Sequence, residues 1–326
     1  NTFKNNGRIE VILCELRYIC KFSKLNTVST FTQYIRQHCR KKDLPMPENM
    51  EKSENEQPIF IKFKKEDELR STVLRSSALF YFRVSRTIDT ELHFLNYWRL
   101  KHDVKRLKFS IAVYDMQGSK LIVENEIQIS SGANVISLRA LLATRIGNNY
   151  PLQGSFEFEI HSEENLFISY PAAVVRYTGT NWHSLAHSTQ RIYSELSGDS
   201  NELVHSSFRA EEGNQTIPSE TWFEPFFIIH NGPNEITDED MELEIQSIDQ
   251  RIRSYRIPRI KWASRETKVF RLKDLCNYRS VTGGDIGTYT VKFKVKGVFP
   301  RIIAGIEDTR NGAWSIDHTN FAAKSG

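Results

Sequence analysis

From about residue 79 onward the chain is built of short runs in which apolar residues alternate with polar ones. In "SFEFEI", Phe156, Phe158 and Ile160 alternate with Ser155, Glu157 and Glu159, the period of two expected of a strand with one buried face. "ALFYFRV", "TELHFLNYW", "KFSIAVYD" and "KLIVENEIQI" are likewise rich in β-branched and aromatic residues and are separated by Gly, Asn, Ser and Asp. This punctuation predicts strands joined by turns, with Gln117-Gly118-Ser119 as a hairpin break. "SLRALLATRI" offers a short helix among them.

The second half repeats this pattern. "NVISLRALL" from Asn134 matches "KVFRLKDLC" from Lys268, pairing Val135 with Val269, Leu138 with Leu272 and Leu141 with Leu275. "GSFEFEI" meets "GTYTVKF", "YPAAVVRY" meets "FPRIIAGI", and "HSLAHST" meets "WSIDHTN". Upstream, "HFLNYW" faces "PFFIIHN" and "FSIAVYD" faces "MELEIQS". The order is kept throughout and the offset stays between 129 and 134 residues.

An internal duplication accounts for this, with copies near 79–195 and 204–322. Each copy is long enough to bury its own core, and its strand spacing suits a β-sandwich of about seven to nine strands. The fold class is therefore expected to be mainly β: two tandem, internally duplicated β-sandwich-like domains behind a small α/β or helical N-terminal segment. The expected boundaries are 1–58 for the N-terminal segment and linker, 59–195 for the first domain, 196–203 for the connector and 204–326 for the second domain.

The first segment has a different texture. "TVSTFTQYIRQHCRKK" predicts a short helix capped by Ser29 or Thr30, with Phe31, Tyr34, Ile35 and His38 at helical spacing. "DLPMPENMEKSENEQP" reads as a linker. No apolar run approaches the eighteen residues of a membrane-spanning helix, and mean hydropathy is −0.46. The four cysteines Cys14, Cys20, Cys39 and Cys276 form no metal or redox motif. Their low density favours a cytoplasmic location, although the chain begins at Asn1 and a signal peptide lost from that end would change this.

Net charge is only +4, but it is unevenly spread. Eleven acidic residues and no Lys or Arg lie between Ala210 and Gln250, and ten basic residues follow between Arg251 and Ser280. Neutralisation across neighbouring strands is the first expectation. A second use is anion or nucleic-acid binding by the strand "RIRSYRIPRIKW", through Arg256, Arg259, Lys261 and Trp262. Nucleic acid is not the expected partner at this net charge.

The densest cluster of residues with chemical capability is "NWHSLAHSTQR". His183, Ser184, His187 and Arg191 are the catalytic candidates there, a serine and imidazoles being the parts of a nucleophile and base. No G-x-S-x-G elbow or H-E-x-x-H helix accompanies them. The duplication pairs Ser184 with Ser315 and His187 with His318, so these four are candidates for binding at matching positions. As strand residues, Trp182, Ser184, Ala186 and Ser188 would share one face, and His183, Leu185 and His187 the other. A histidine whose nitrogens satisfy the fold explains the pair most simply.

Tyr170-Pro171 and Phe299-Pro300 mark strand starts and are also settings for a cis bond. "VTGGDIGTY" reads as a hairpin loop rather than a phosphate cradle. No motif asks for a cofactor or a metal. The expected function is a non-catalytic binding or assembly module that recognises carbohydrate or a protein surface. Trp98, Trp182, Trp222, Trp262 and Trp314 are its candidate stacking platforms. The competing class is a hydrolase acting on glycans or phosphoesters through the His/Ser cluster of the first copy. Oligomeric state has no signature in the sequence.

Overall fold

The computed structural model describes residues 72–325 apart from 148–149, 188–189, 300–301 and 319. The helix expected at 29–41, the linker at 43–58, three of the cysteines and Pro300 lie outside the described residues, as do the side chains of Arg259 and His318.

The first half forms β1 (Arg75–Val84), β2 (Asp89–Leu95), α1 (Tyr97–His102), β3 (Leu107–Asp115), β4 (Lys120–Glu124) and β5 (Ala133–Ser137). It continues with α2 (Leu138–Ile146), β6 (Leu152–Ser162), β7 (Ala173–Thr178), β8 (His183–Ala186) and β9 (Arg191–Ile192). A short α3 (Asn201–His205) leads into β10 (Ser207–Ile217), β11 (Phe223–His230), β12 (Ile236–Ser247) and β13 (Ile252–Trp262). Then come β14 (Thr267–Arg271), α4 (Leu272–Leu275), α5 (Tyr278–Thr282), β15 (Gly287–Lys296), β16 (Val298–Phe299), β17 (Ile302–Asp308), β18 (Ala313–His318) and β19 (Asn320–Ser325).

The protein is mainly β, and every strand pairing described is antiparallel. In the first half one sheet runs β1-β6-β3-β4 and its partner β5-β2-β7-β8. In the second half the orders are β10-β15-β12-β13, extended by β19 beside β10, and β14-β11-β17-β18. The two pairs of orders correspond strand for strand. Each of the six matched segments of the sequence occupies the same place in its sheet order.

Alternation builds each core. Phe80, Phe82, Phe156, Phe158 and Ile111 from one sheet bury against Leu92, Phe94, Val175 and Tyr177 of the other. In the second half Leu243, Ile245, Val291 and Tyr289 meet Phe227, Ile229, Ile302 and Ala304. Burying each such aromatic or aliphatic side chain contributes about 1.5–3 kcal/mol. A buried tyrosine ties the sheets together in both halves: Tyr177 donates to Tyr81 O at 2.8 Å, and Tyr289 to Phe226 O at 2.9 Å. These phenols are satisfied where an unpaired one would cost stability.

Residues 70–326 form one compact unit. Strand β11 has two buried faces: Phe227 and Ile229 enter the second core, while Phe226 and Ile228 enter the first. Trp314 of β18 joins them there. It stacks on Phe226 at 5.7 Å and meets Tyr81, Tyr177 and Trp182 edge-on at 5.8, 5.1 and 6.1 Å. Gly118, at φ +82° in the β3–β4 turn, lies so close to Ser264 that a Cβ would collide with the Ser264 carbonyl. Glycine is required there for both reasons. Tyr170 and Phe299, paired by the sequence match, touch edge to face at 5.8 Å.

Four local expectations are corrected. "TELHFLNYW" is not strand throughout: Asn96 caps α1, its Oδ1 accepting from Arg99 N at 3.2 Å. "KLIVENEIQI" is strand only over Lys120–Glu124. "VTGGDIGTY" joins α5 to β15 and is no hairpin, with Gly283 in the left-handed conformation that closes the helix. The cis peptide found among the described residues is Tyr150-Pro151, not Tyr170-Pro171.

Candidate functional site

The His/Ser cluster forms β8, an edge strand paired with β7 through Tyr177 opposite Ser184 and Val175 opposite Ala186. Alternation divides it as the sequence requires: Ser184 and Ala186 are buried, while His183, Leu185 and His187 face outward. Ser184 is 8% exposed, and its Oγ accepts from Ile316 N of β18 at 3.2 Å. One residue on, His187 N donates to Asp317 Oδ1 at 3.3 Å. The matched serines therefore stand in different surroundings, for Ser315 is exposed. The Ser184 hydroxyl is part of the seam between the halves, and His183 and His187 lie on the opposite, exposed face of the strand.

Arg191 is equally committed. It is buried in β9, donates from Nε to Ser77 Oγ at 3.1 Å and from Nη2 to Arg75 O at 3.2 Å, and pairs with Asp199 at 2.7 Å. Asp199 also pairs with Arg75 at 2.9 Å, and Arg75 holds Glu157 at 2.7 Å and Glu159 at 2.6 Å. Arg265, from the turn between β13 and β14, reaches across to Glu157 at 3.1 Å and lies 4.6 Å over the Tyr114 ring. Three guanidinium groups thus meet three carboxylates at the junction. Burial raises the Glu157 pKa. Burial acts the same way on Glu159, but the His161 hydrogen bond and the Arg75 charge outweigh it and lower its pKa to about 2.

The basic strand β13 pairs on one side with acidic β12, where Glu242 stands opposite Arg256 and, on the other side, opposite Lys292. Lys292 also contacts Glu244 at 2.8 Å. Arg256 and Lys261 are exposed. Trp262 is a core residue rather than a platform, packed 6.4 Å from Phe270. Trp98 and Trp314 are buried too. Trp222 is exposed at 39%, with Arg310 stacked over it at 4.8 Å.

Two crevices open where sequence reading marked nothing. One is about 600 Å³, lined by Arg86 of the β1–β2 turn, by Ser137, Arg139, Ala140 and Ala143 around the start of α2, and by Tyr150. The other is about 480 Å³ and lies between Thr221 and Phe223 near the β10–β11 turn and Lys273, Cys276 and Arg279 of the α4–α5 segment. Each is lined from the turn that joins two of its half's strands and from a short helical segment. Both volumes fall within the range of about 300–1,000 Å³ usual for small-molecule sites.

Glu224 lines the second crevice and is 5% exposed. Its Oε2 accepts from Lys273 at 2.5 Å and from Arg271 at 3.4 Å, while its buried Oε1 has no hydrogen-bond partner. Burial pushes the neighbouring Cys276 thiol up to about 11, so it stays protonated at neutral pH and is a poor nucleophile. Among the described residues no group of three His, Cys, Asp or Glu is arranged to hold a metal ion, and no helix is long and apolar enough to cross a membrane. Glu224 is hard to find in sequence, because a lone acid before "PFFIIH" looks like a strand flank.

No protein-family model matches the chain, and no curated protein matches it. Solved structures that match include β-glucuronidase 2 of Bacteroides uniformis covalently bound to cyclophellitol-6-carboxylate aziridine. The identity there is 10% over 77% of this chain and 26% of that one, with a TM-score of 0.15. A calcium-binding mutant of that enzyme matches at 9% identity over 76% and 26%, with a TM-score of 0.13. The chain thus spans about a quarter of those enzymes' length. Likeness this slight carries neither fold nor chemistry across.

Proposed function

We propose that the protein is a non-catalytic recognition or assembly module made of two duplicated β-sandwich domains, within 59–195 and 204–326, joined by a connector at 196–203. The observation that carries this reading is the use made of Ser184 and Arg191. Ser184 is spent on the seam between the halves, through Ile316 N, and Arg191 on holding the connector to β1, through Asp199, Ser77 and Arg75. A serine whose Oγ is buried as an acceptor, with His183 and His187 on the opposite face of its strand, lacks the mutual geometry of nucleophile and base. The corresponding strand orders support the duplication, and the crevice in each half supports recognition by both copies. Carbohydrate or a protein surface is the partner class that fits.

The test is a panel of aryl glycosides and aryl phosphates with the full chain. The expected result is no turnover above background, and melting temperatures within about 2 °C of wild type for His183→Ala and His187→Ala, as for other surface substitutions. Turnover that disappears in either variant sinks the reading in favour of a hydrolase.

A further inference from the structure

We propose that the crevice beside α4 and α5 binds a neutral polyhydroxylated ligand, the size of one or two sugar rings, between Glu224 and Lys273. This rests on the recognition reading and names its ligand class for the second sandwich.

Glu224 has one carboxylate oxygen engaged and one buried oxygen without a donor. Such a group is costly unless a partner arrives. A donor entering the crevice beside the half-exposed Lys273 side chain would meet that need. A metal cation or a free amine would also be a partner for Glu224, but Lys273 already holds the carboxylate and the Arg279 guanidinium on the same wall repels a further cation. An anion has the reverse difficulty. Lys273 is already neutralised by Glu224, and Arg279 is spent on Ser219 O at 3.0 Å and Glu220 O at 2.9 Å. A phosphate or carboxylate would then bring its own acceptors against the unpaired Glu224 oxygen, which repels them.

Hydroxyl groups suit both walls, because each one donates and accepts. A hydroxyl can donate to Glu224 and accept from Lys273 in the same pose. Phe223 on the wall offers an apolar face to the C–H side of a ring, and Thr221 and Thr309 at the rim add hydroxyls. The crevice of the first sandwich differs. It carries Arg86 and Arg139 and no acid, so the two copies have diverged in what they select.

The experiment uses the full chain and saturation-transfer NMR. The probes are glucose, galactose, mannose and xylose with their β-linked tetramers, set against galacturonate, inorganic phosphate and methylammonium. A neutral sugar is expected to bind with a dissociation constant on the order of 1 mM. Glu224→Gln should weaken it by about tenfold or more, a charged hydrogen bond being exchanged for a neutral one. Thr221→Trp places a large ring at an exposed rim position, so it should fold normally and abolish binding, which keeps the test decisive if Glu224→Gln is unstable. Sugar binding unchanged in Thr221→Trp overturns the site while leaving the recognition reading intact. No binding by any neutral sugar, or binding only by phosphate, galacturonate or methylammonium, overturns the ligand class. Failure of the recognition reading would show separately, as turnover in the hydrolase panel.

Discussion

His230, the last residue of β11, is fully buried and has its Nδ1 2.8 Å from Thr267 Oγ1. Burial lowers its pKa to about 3, far below the ordinary value near 6.5. The folded state therefore keeps this imidazole neutral where the unfolded chain takes up a proton. Stability tied to it is full above about pH 6.5 and is lost as pH falls toward 3, with a slope of at most about 1.4 kcal/mol per pH unit. Urea titrations between pH 7.5 and 4.5 should show this slope, and His230→Asn should flatten it while retaining a hydrogen-bonding group toward Thr267. An equal slope in the variant would assign the acid sensitivity to other groups. Ser184 gives a second residue-scale expectation. Ser184→Ala leaves Ile316 N buried without its acceptor and should cost about 1–3 kcal/mol, measured by the urea midpoint. His183→Ala beside it should cost less than about 0.5 kcal/mol.

Strands β8 and β18 are edges of their own sheets, and exposed edges invite unwanted pairing. Here each edge lies beside the other, joined by Ser184 Oγ to Ile316 N and Asp317 Oδ1 to His187 N. Trp314 extends the contact, closing over Phe226, Tyr81 and Tyr177 under the Arg83 guanidinium at 5.1 Å. Trp314→Ala should cost about 3–5 kcal/mol, the range for a large buried aromatic, and should also expose apolar surface that binds a hydrophobic dye. A cost below 1 kcal/mol would mean that the two halves hold together without it. The β3–β4 turn makes the same point on a smaller scale. Its left-handed Gly118 touches the β13–β14 turn, and Thr267 N donates to Met116 O at 3.0 Å. The turn was readable from sequence; the neighbour that makes its glycine necessary was not.

At the scale of the whole molecule, the ionic junction of Arg75, Arg191 and Arg265 with Glu157, Glu159 and Asp199 links both halves and the connector. Removing one partner of a buried ion pair leaves the other charge uncompensated, at about 3–5 kcal/mol. Asp199→Ala strands the buried Arg191 and removes one of the three carboxylates around Arg75, and should reach that cost. Calorimetry of the wild type should show one transition for residues 70–326, since the cores share strands β11 and β17 through their two faces. Two separated transitions would show that the junction does not couple the halves.

Much of this architecture is set by the sequence alone. Period-two alternation specifies strands, and matched segments in a constant order anticipate corresponding strand orders, because these patterns are local or depend only on comparing the chain with itself. What the tertiary structure decided is which polar residues are buried. Alternation put Glu157 on the solvent side of β6, yet it is 4% exposed because Arg75, Arg265 and the connector close over that face. The same holds for Ser184, which resembled a nucleophile until the partner strand β18 was in place, and for Glu224, which resembled a strand flank. A residue's burial depends on what segments distant in the chain bring against it. That contact is made across roughly fifty residues or more, beyond the reach of any local pattern.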